Sequence, residues 1–202
     1  MKSCDPVIYL ASQSPRRRDI LRQIGVPHAV VSVNVEEKPH LHEAPSDYVQ
    51  RLAREKALAG LAVIQANSGL IKPVLGADTI GVCDGRILEK PRDATHAAEM
   101  LRQLAGNTHQ VLTAVALAVK SKVAVQMSIT DVVFRPLSAV EIERYWQTGE
   151  PQDKAGGYAI QGFGAVFVEQ IRGSYSGVVG LPIEQTIKLF DEFSVPWWQA
   201  VE

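Results

Sequence analysis

The sequence predicts an α/β protein built on a mixed sheet. Apolar runs typical of buried strands alternate along the chain with segments that carry helix start and stop signals. Some of the predicted strands are joined by tight turns, as at Asp84-Gly85, and such pairs are antiparallel. Alternation of helices and strands favours parallel pairs, so we expect a sheet that combines both directions.

The elements of the first half follow from local signals. Ser14-Pro15 is typical of a helix start, with serine as N-cap and proline in the first helical position, and Gly25 is typical of a helix end. Asp84-Gly85 between two short apolar runs predicts a hairpin. In order, we predict a strand over 7–11, a helix over 15–24, a strand over 29–35, a helix from Ser46 to about Gln65, and strands over 74–77, 80–83 and 86–88.

The second half carries equally clear capping signals. Asp93 is placed to cap a helix that runs to Leu104, and Ser138 with Glu141 forms a capping box. The glycine-rich stretch over 149–164 is too long to be only a turn. The remaining predictions are long paired strands over 111–119 and 122–134, a helix from Ser138 to about Thr148, a strand over 165–171, and a last helix that begins near Pro182.

Composition excludes several classes of protein. The chain has 202 residues, 46% of them hydrophobic, and a net charge of −1, so we expect a single domain over 1–202 with no general affinity for nucleic acid. No stretch approaches the length of a membrane span and no signal peptide is evident, so no membrane partner is expected. The two cysteines, Cys4 and Cys83, lie far apart without metal-type spacing, which favours a reduced, cytoplasmic location.

Three arginines follow the predicted helix start at Pro15, where the helix dipole disfavours cations. Backbone N–H groups at such a start bind phosphate readily, and a guanidinium matches phosphate oxygens. Arg17 also lies on the same helical stripe as Leu21 and Ile24, so it extends the core-facing side toward the sheet. We therefore interpret Arg16 and Arg17 as an anion site.

Lys56 is another charged residue on a side that is predicted to be apolar, here inside the long predicted helix. It falls in the middle of an apolar stripe that includes Leu52 and Gly60. A buried ammonium is costly unless it is paired, so Lys56 either extends its long stem to water or faces a cleft that holds an anion. For Lys56 alone, extension to water is the simpler interpretation.

Carboxylates follow two of the predicted strands. Asp78 stands where the apolar run over 74–77 meets a loop, and it fits no cap or hairpin position. Glu36 and Glu37 also follow a strand, although a turn role stays open for Glu37. Ligands of open α/β sheets gather at the carboxyl ends of strands, and Mg²⁺ takes oxygen ligands while it bridges to substrate phosphates. We therefore expect Asp78 to be functional.

The sequence contains seven short motifs in the order "LASQSPRR", "EEK", "RLAREKA", "GADT", "EKPRD", "DKAGGYAIQG" and "VVGLP". Together they resemble the motifs of the Maf-type nucleotide pyrophosphatases. Each is weak alone, but their joint occurrence from about Leu10 to Pro182 is highly specific. Two small departures occur in the sixth motif, with Gly157 where alanine is usual and Ala159 where glycine is usual.

The resemblance implies an activity and a fold. Members of the family hydrolyse nucleoside triphosphates to the monophosphate and pyrophosphate with a divalent metal cation such as Mg²⁺ or Mn²⁺. Their ITPase-like fold has two lobes around a deep cleft, and they are commonly homodimers. The "DKAG" motif is similar to that of the branch acting on dTTP and UTP. A nucleotide-binding regulator of cell division or septation is the alternative function.

The resemblance also implies roles for individual residues. Asp78 matches the catalytic base, and Arg17, Thr79 and Gln161 match residues that select the substrate. Glu36 and Asp78 are the expected metal ligands. The other matching polar cleft positions are Ser12, Arg16, Lys56, Lys90 and Lys154.

Overall fold

The computed structural model of the chain describes residues 5–67 and 71–199. Cys4 lies outside this part of the chain, and the remaining cysteine, Cys83, is buried with a free thiol. Within the described residues, no helix is long and apolar enough to cross a membrane.

Seven strands form one mixed sheet, which confirms the predicted class. They are β1 (Ile8–Leu10), β2 (His28–Val30), β3 (Val74–Cys83), β4 (Arg86–Leu88), β5 (Thr108–Val119), β6 (Lys122–Phe134) and β7 (Val168–Arg172). Their order is β2-β1-β3-β5-β6-β7, and β4 pairs with the far end of β3. β1 runs parallel to both β2 and β3, whereas the other pairs are antiparallel.

The described residues form six α-helices around this sheet. They are α1 (Pro15–Gln23), α2 (Pro45–Ala66), α3 (Ala94–Leu104), α4 (Ala139–Gln147), α5 (Tyr175–Val179) and α6 (Ile183–Glu192). Two of the predicted caps are confirmed, because Asp93 accepts from the N–H of His96 and Ser138 forms a capping box with Glu141. Three 3-10 turns, Glu150–Asp153, Ala155–Gly157 and Phe163–Phe167, occupy the glycine-rich stretch and its continuation.

The sheet separates two hydrophobic cores, and β5 contributes to both. Val115 and Leu117 belong to the core on the side of α1, α3, α4 and α6, while Ala114 and Ala116 belong to the core under α2. This alternation is the period of two expected of a strand buried on both faces. Polar side chains in the middle of β3 and β5, such as Asp78 and Thr113, are therefore buried.

Gly76 allows α2 to lie directly on the sheet. A Cβ atom at this position would come within 2.3 Å of the Ala53 carbonyl oxygen and 2.5 Å of the Ala57 nitrogen, so any side chain would push the helix away. The close approach carries Lys56, one residue before Ala57, down to the level of the sheet. The small residue in β3 thus helps to position a charged group.

Several predicted boundaries were wrong. The predicted break at Asp78 is absent, because β3 continues through it and pairs residue by residue with β5 from Val74 to Val82. The second strand ends at Val30 instead of residue 35. The strand predicted over 165–171 starts only at Val168, since a 3-10 turn takes up the residues before it. The short helix α5 was not predicted.

Candidate active site

A pocket of about 290 Å³ opens beside β3 and the start of α1. Five cationic side chains and two carboxylates line it, while apolar groups such as Leu88, Val111 and Ile160 complete the wall. Such an excess of positive charge suits a ligand with several negative charges. The charged lining residues are Arg16, Arg17, Glu37, Lys56, Asp78, Lys90 and Lys154.

Lys56 connects the two carboxylates. Its Nζ lies 2.7 Å from Asp78 Oδ1 and 2.6 Å from Glu37 Oε1. The side chains of Lys56 and Asp78 are only 12% and 10% exposed, whereas that of Glu37 is 54% exposed. Extension of Lys56 to water was the wrong interpretation, because the ammonium turns into the pocket where two anions meet it.

Burial and neighbouring charges act in opposite directions on Asp78. Burial raises the pKa of Asp78 above its ordinary value, and the charges of Lys56 and Arg17 oppose that rise without cancelling it. Burial also acts to raise the pKa of Glu37, but the hydrogen bond from Lys56 and the charges of Lys56, Lys90 and Arg17 together outweigh it and leave that pKa lowered. A carboxylate with a raised pKa is better matched to accepting a proton near neutral pH.

Arg17 is held by three different acceptors. Its Nε donates to the Gly180 carbonyl at 2.8 Å, its Nη1 to Ser12 Oγ at 3.0 Å, and its Nη2 to Thr79 Oγ1 at 3.2 Å. Gly180 adopts φ +127°, a conformation that L side chains rarely take. The guanidinium therefore lies in a fixed orientation at the pocket, with part of its donor capacity still free.

The start of α1 provides further donors. Ser14 precedes Pro15 as predicted, but its side chain makes no capping hydrogen bond. The first N–H groups of a helix have no partner within the helix, so those of Arg16 and Arg17 are open to an external acceptor. Ser14 and Arg16 both line the pocket, which places this helix start against the ligand space.

Two further polar residues of the lining come from the glycine-rich stretch. Tyr158 is buried, and its hydroxyl lies 2.7 Å from Nε2 of the buried His109. Gln161 is exposed at the pocket, and among the described residues its side chain has no hydrogen-bond partner. Gly157, where the family usually has alanine, adopts φ +69°, which glycine tolerates best.

The structure brings together most of the residues predicted for the site, with two differences. Ser12 does not line the pocket; its hydroxyl oxygen instead accepts a hydrogen bond from Arg17. Glu36 also lies outside the pocket lining: its side chain is 74% exposed and pairs with Lys38 at 2.9 Å. Glu37, the next residue, takes the place expected for Glu36. Alternation of side chains along an extended segment points neighbours in opposite directions, and the sequence did not show which of the two faces inward.

Other functional groups were missed by sequence reasoning. The Gly180 carbonyl and Tyr158 lie within the motifs "VVGLP" and "DKAGGYAIQG", but neither motif indicated a role for these two groups. Thr113, which contacts Thr79 at 3.0 Å, is only 1% exposed and had a detectable signal, because it is a hydroxyl inside the apolar run from Val111 to Val119.

A divalent cation fits the carboxylates of this pocket. In the described part of the chain, no group of three or more His, Cys, Asp or Glu side chains could hold a metal ion by itself. Asp78 and Glu37, however, converge on the ammonium of Lys56, so their oxygens already share one cation. Mg²⁺ is commonly held by one or two carboxylates together with substrate phosphates, and this pair meets that requirement.

Fold and site together define an α/β protein whose pocket is built for a polyanion, with a buried carboxylate among cations. The particular family is shown by comparison: the family described as Maf-like protein matches residues 7–193, and the chain belongs to it.

The relatives and the solved structure described next each match more than nine-tenths of this chain. A dTTP/UTP pyrophosphatase of Saccharophagus degradans is 56% identical over 95% of this chain and 91% of its own length. A dTTP/UTP pyrophosphatase of Pectobacterium atrosepticum is 57% identical over 93% of each chain. Among solved structures, the Staphylococcus aureus Ham1 protein matches with a TM-score of 0.47 and 14% identity, over 93% of this chain and 97% of that one.

Proposed function

We propose that this protein hydrolyses the pyrimidine nucleoside triphosphates dTTP and UTP to the monophosphate and pyrophosphate. Family membership and the names of relatives more than half identical over nearly the whole chain support this activity. The observation that carries the proposal is the buried Asp78, with a raised pKa, inside a pocket lined by five cationic side chains.

The triphosphate is bound at the start of α1 and by the cations around it. The open N–H groups of Arg16 and Arg17 and the hydroxyl of Ser14 are donors for phosphate oxygens. Lys90 and Lys154 line the same pocket and add positive charge. These groups stabilise the charge that builds on the leaving pyrophosphate.

Asp78 accepts a proton from the attacking water. Burial favours its protonated form, so it binds a proton more readily than an exposed aspartate, while Lys56 holds the carboxylate in one orientation at 2.7 Å. Lys56 also keeps Glu37 close without leaving either carboxylate unpaired. Arg17, Thr79 and Gln161 contact the nucleoside side of the substrate, and Arg17 and Thr79 select it.

Asp78 and Glu37 are the residues that would hold a divalent cation such as Mg²⁺ or Mn²⁺ in this pocket. When bound, such a cation supplies Lewis-acid polarisation of the phosphate and lowers the pKa of bound water. Glu37 replaces Glu36 in this assignment because only Glu37 lies at the pocket and near Lys56.

Regulation of cell division by nucleotide binding alone is not favoured. A binding protein has no need of a buried carboxylate aimed at a phosphate site, because that carboxylate weakens anion binding. Asp78 nevertheless stands in the pocket, and the relatives are named for hydrolysis. A single domain over 1–202 with two lobes, a homodimer, a cytoplasmic location and the absence of nucleic-acid and membrane partners stay predictions.

A panel of nucleotides with Mg²⁺ or Mn²⁺, analysed by chromatography, tests the proposed function. We expect dTTP and UTP to give the monophosphate and pyrophosphate, and turnover to stop in EDTA. Accumulation of the diphosphate and orthophosphate would contradict attack at the α-phosphorus. Full activity in EDTA would remove the cation from the proposal.

A further inference from the structure

Glu150 is a carboxylate that the proposed function does not use and that lies outside the pocket lining. Its Oε1 accepts hydrogen bonds from the Tyr145 hydroxyl at 2.7 Å and from the Gly164 N–H at 2.9 Å. Its Oε2 accepts from the Phe163 N–H at 2.9 Å. Burial acts to raise the pKa of Glu150, but these three hydrogen bonds and the charge of Lys154 outweigh it and leave that pKa lowered, so the carboxylate is ionised at neutral pH.

These hydrogen bonds hold both ends of one short segment, residues 159–164, which we call the pocket loop. At its C-terminal end, two backbone N–H groups donate to Glu150 directly. At its N-terminal end, the Ala159 N–H donates to the Tyr145 hydroxyl at 3.1 Å, and that hydroxyl donates its own hydrogen to Glu150. Tyr145 is only 4% exposed on α4, so it forms a fixed support.

The middle of the pocket loop forms part of the pocket wall. Ala159, Ile160 and Gln161 line the pocket, and the proposed function gives Gln161 a contact with the nucleoside. The pocket loop also contains two glycines, Gly162 and Gly164, and ordering a glycine-rich backbone costs conformational entropy. Hydrogen bonds to an ionised acceptor are stronger than neutral ones, so Glu150 offsets part of this cost.

Gly162 leaves the space that the Glu150 carboxylate occupies. A Cβ atom at this position would overlap Oε2 of Glu150 and come within 2.5 Å of its Cδ. The φ angle of Gly162 is −142°, outside the left-handed region that favours glycine. Glycine is therefore needed here for space, and the pocket loop closes around the carboxylate.

The residues before the pocket loop have hydrogen bonds of their own. The Gly156 N–H donates to the Glu89 carbonyl at 3.0 Å, and the Gly157 N–H donates to the Lys154 carbonyl at 3.0 Å. The backbone around Lys154, one of the cations proposed for the phosphates, is therefore held without the Glu150 side chain. Loss of that side chain is expected to disturb the nucleoside side of the pocket and to leave the phosphate side in place.

We propose that Glu150 is a positioning residue for nucleoside binding: it holds both ends of the pocket loop, so that Ile160 and Gln161 are presented to the nucleoside. The inference rests on the proposed function and adds to it a residue that acts on substrate binding and not on the chemical step. Glu150 acts through the pocket loop and does not touch the substrate.

The kinetic constants of Glu150→Gln test the inference. Glutamine keeps the shape of the side chain but replaces one acceptor oxygen with an NH₂ donor, so at least one of the hydrogen bonds is lost and the others are weakened. We expect KM for UTP to rise about tenfold, with kcat within about twofold of the wild type. The inhibition constant of inorganic pyrophosphate, which lacks a nucleoside, is expected to stay unchanged. A fall in kcat at unchanged KM would overturn the inference.

Glu141→Gln is the matched control. The Glu141 carboxylate lies on α4 and also accepts three hydrogen bonds, from Arg135 at 2.6 Å and from the N–H and hydroxyl of Ser138 at 2.9 and 2.8 Å. It lies outside the pocket lining. Its substitution is expected to lower the thermal midpoint without a change in KM. An equal rise of KM in both variants would overturn the inference, because KM would then follow stability.

Gly162→Ala perturbs the same contact while Glu150 stays in the chain, and so covers the case in which Glu150→Gln does not fold. The added methyl group displaces the carboxylate, and KM for UTP is expected to rise as in Glu150→Gln. In Glu150→Ala the space is open, so the further substitution Gly162→Ala is expected to change KM no more. Effects of Glu150→Ala and Gly162→Ala that multiply independently would overturn the inference.

Amide hydrogen exchange tests the anchoring without reference to a substrate. We expect the N–H groups of Ala159, Phe163 and Gly164 to exchange faster in Glu150→Gln than in the wild type, while those of β5 keep their rates. Unchanged exchange at these three groups would overturn the inference. If exchange changes but the wild type hydrolyses neither UTP nor dTTP, the proposed function fails; if the wild type hydrolyses UTP and KM is unchanged in Glu150→Gln, only the inference fails.

Discussion

Lys56 of α2 and Asp78 of β3 form a buried ion pair, with 2.7 Å between Nζ and Oδ1. A pair of this kind contributes little to stability, because removing both charges from water offsets their attraction. Its value lies in geometry: the ammonium fixes the carboxylate and joins it to Glu37, which lies 2.6 Å from the same Nζ.

Asp78→Asn removes the proton acceptor and keeps the shape of the side chain. We expect kcat to fall by about 10²–10⁴, the contribution of a positioned general base, while nucleotide binding measured by calorimetry is retained. Asp84→Asn is the control, because Asp84 lies in the exposed hairpin turn at φ 50°, a conformation that asparagine also adopts. A kcat within threefold of the wild type would leave Asp78 with a structural role only.

Lys56→Met is expected to shift the acid limb of the pH–rate profile to higher pH. Activity needs ionised Asp78, whose pKa is raised by burial and held down by the charge of Lys56. Loss of that charge favours the protonated carboxyl, so a higher pH is needed to ionise it. The midpoint of kcat/KM against pH reports the shift.

Lys188→Met provides the matched control for that profile. Lys188 pairs with Glu184 at 2.7 Å on the exposed side of α6, outside the pocket lining, so its removal is expected to leave the profile in place. A profile unchanged in Lys56→Met would mean that a group other than Asp78 sets the acid limb.

Arg17→Lys retains the charge and loses the three-way contact. A lysine ammonium cannot reach the Gly180 carbonyl, Ser12 and Thr79 in the fixed geometry of a guanidinium. We expect kcat/KM to fall, because transition-state stabilisation is reduced by about 1.5–3 kcal/mol. The reduction is expected to differ among UTP, CTP and GTP. Arg22→Lys, at an exposed ion pair with Asp19, is expected to have no effect. Equal rates for Arg17→Lys and the wild type would place Arg17 outside the substrate contacts.

His109 makes stability dependent on pH. Burial lowers its pKa to about 4 from the ordinary 6.5, so the unfolded chain binds this proton more readily than the folded protein. The stabilisation from the neutral ring is full above pH 6.5 and is lost as the pH falls toward 4, by roughly 3 kcal/mol in total.

Denaturant unfolding of His109→Gln between pH 7 and pH 4 measures that loss. Glutamine is neutral throughout, so we expect the variant to lose about 3 kcal/mol less than the wild type over this range. His40→Gln, at an exposed position, is expected to follow the wild type. Parallel curves for His109→Gln and the wild type would show that the ring is not the group responsible.

The sequence was sufficient to identify charged residues at positions where the local pattern predicts apolar ones. Arg17 and Lys56 interrupt apolar stripes and Asp78 interrupts an apolar run, and all three line the pocket. It was insufficient wherever the contact depends on the tertiary arrangement. The Gly180 carbonyl lies 163 residues from Arg17, and the inward choice of Glu37 over Glu36 depends on where α2 carries Lys56.

The same limit applies to the strand that contains Asp78. A charged residue after a four-residue apolar run is typical of a strand end, and the sequence alone favours that interpretation. The strand continues because Lys56 from α2 neutralises the charge and because Thr79 to Val82 find partners in β5. Tertiary pairing therefore decided a boundary that local propensity could not.

Gln161 is expected to contribute to pyrimidine binding without choosing between the bases. Uracil and cytosine offer inverted patterns of donor and acceptor, and a glutamine amide can match both if it is free to rotate. Discrimination would require neighbours that hold the amide in one orientation, but the side chain is exposed and has no hydrogen-bond partner among the described residues.

Gln161→Ala should therefore lower kcat/KM for UTP, dTTP and CTP by a similar factor, roughly 5–10-fold for the loss of neutral hydrogen bonds. Gln170→Ala, at an exposed position on β7 outside the pocket lining, is the matched control and should leave all three values unchanged. A loss confined to UTP and dTTP would show instead that the amide is held in one orientation once the nucleotide binds, and that Gln161 selects the base.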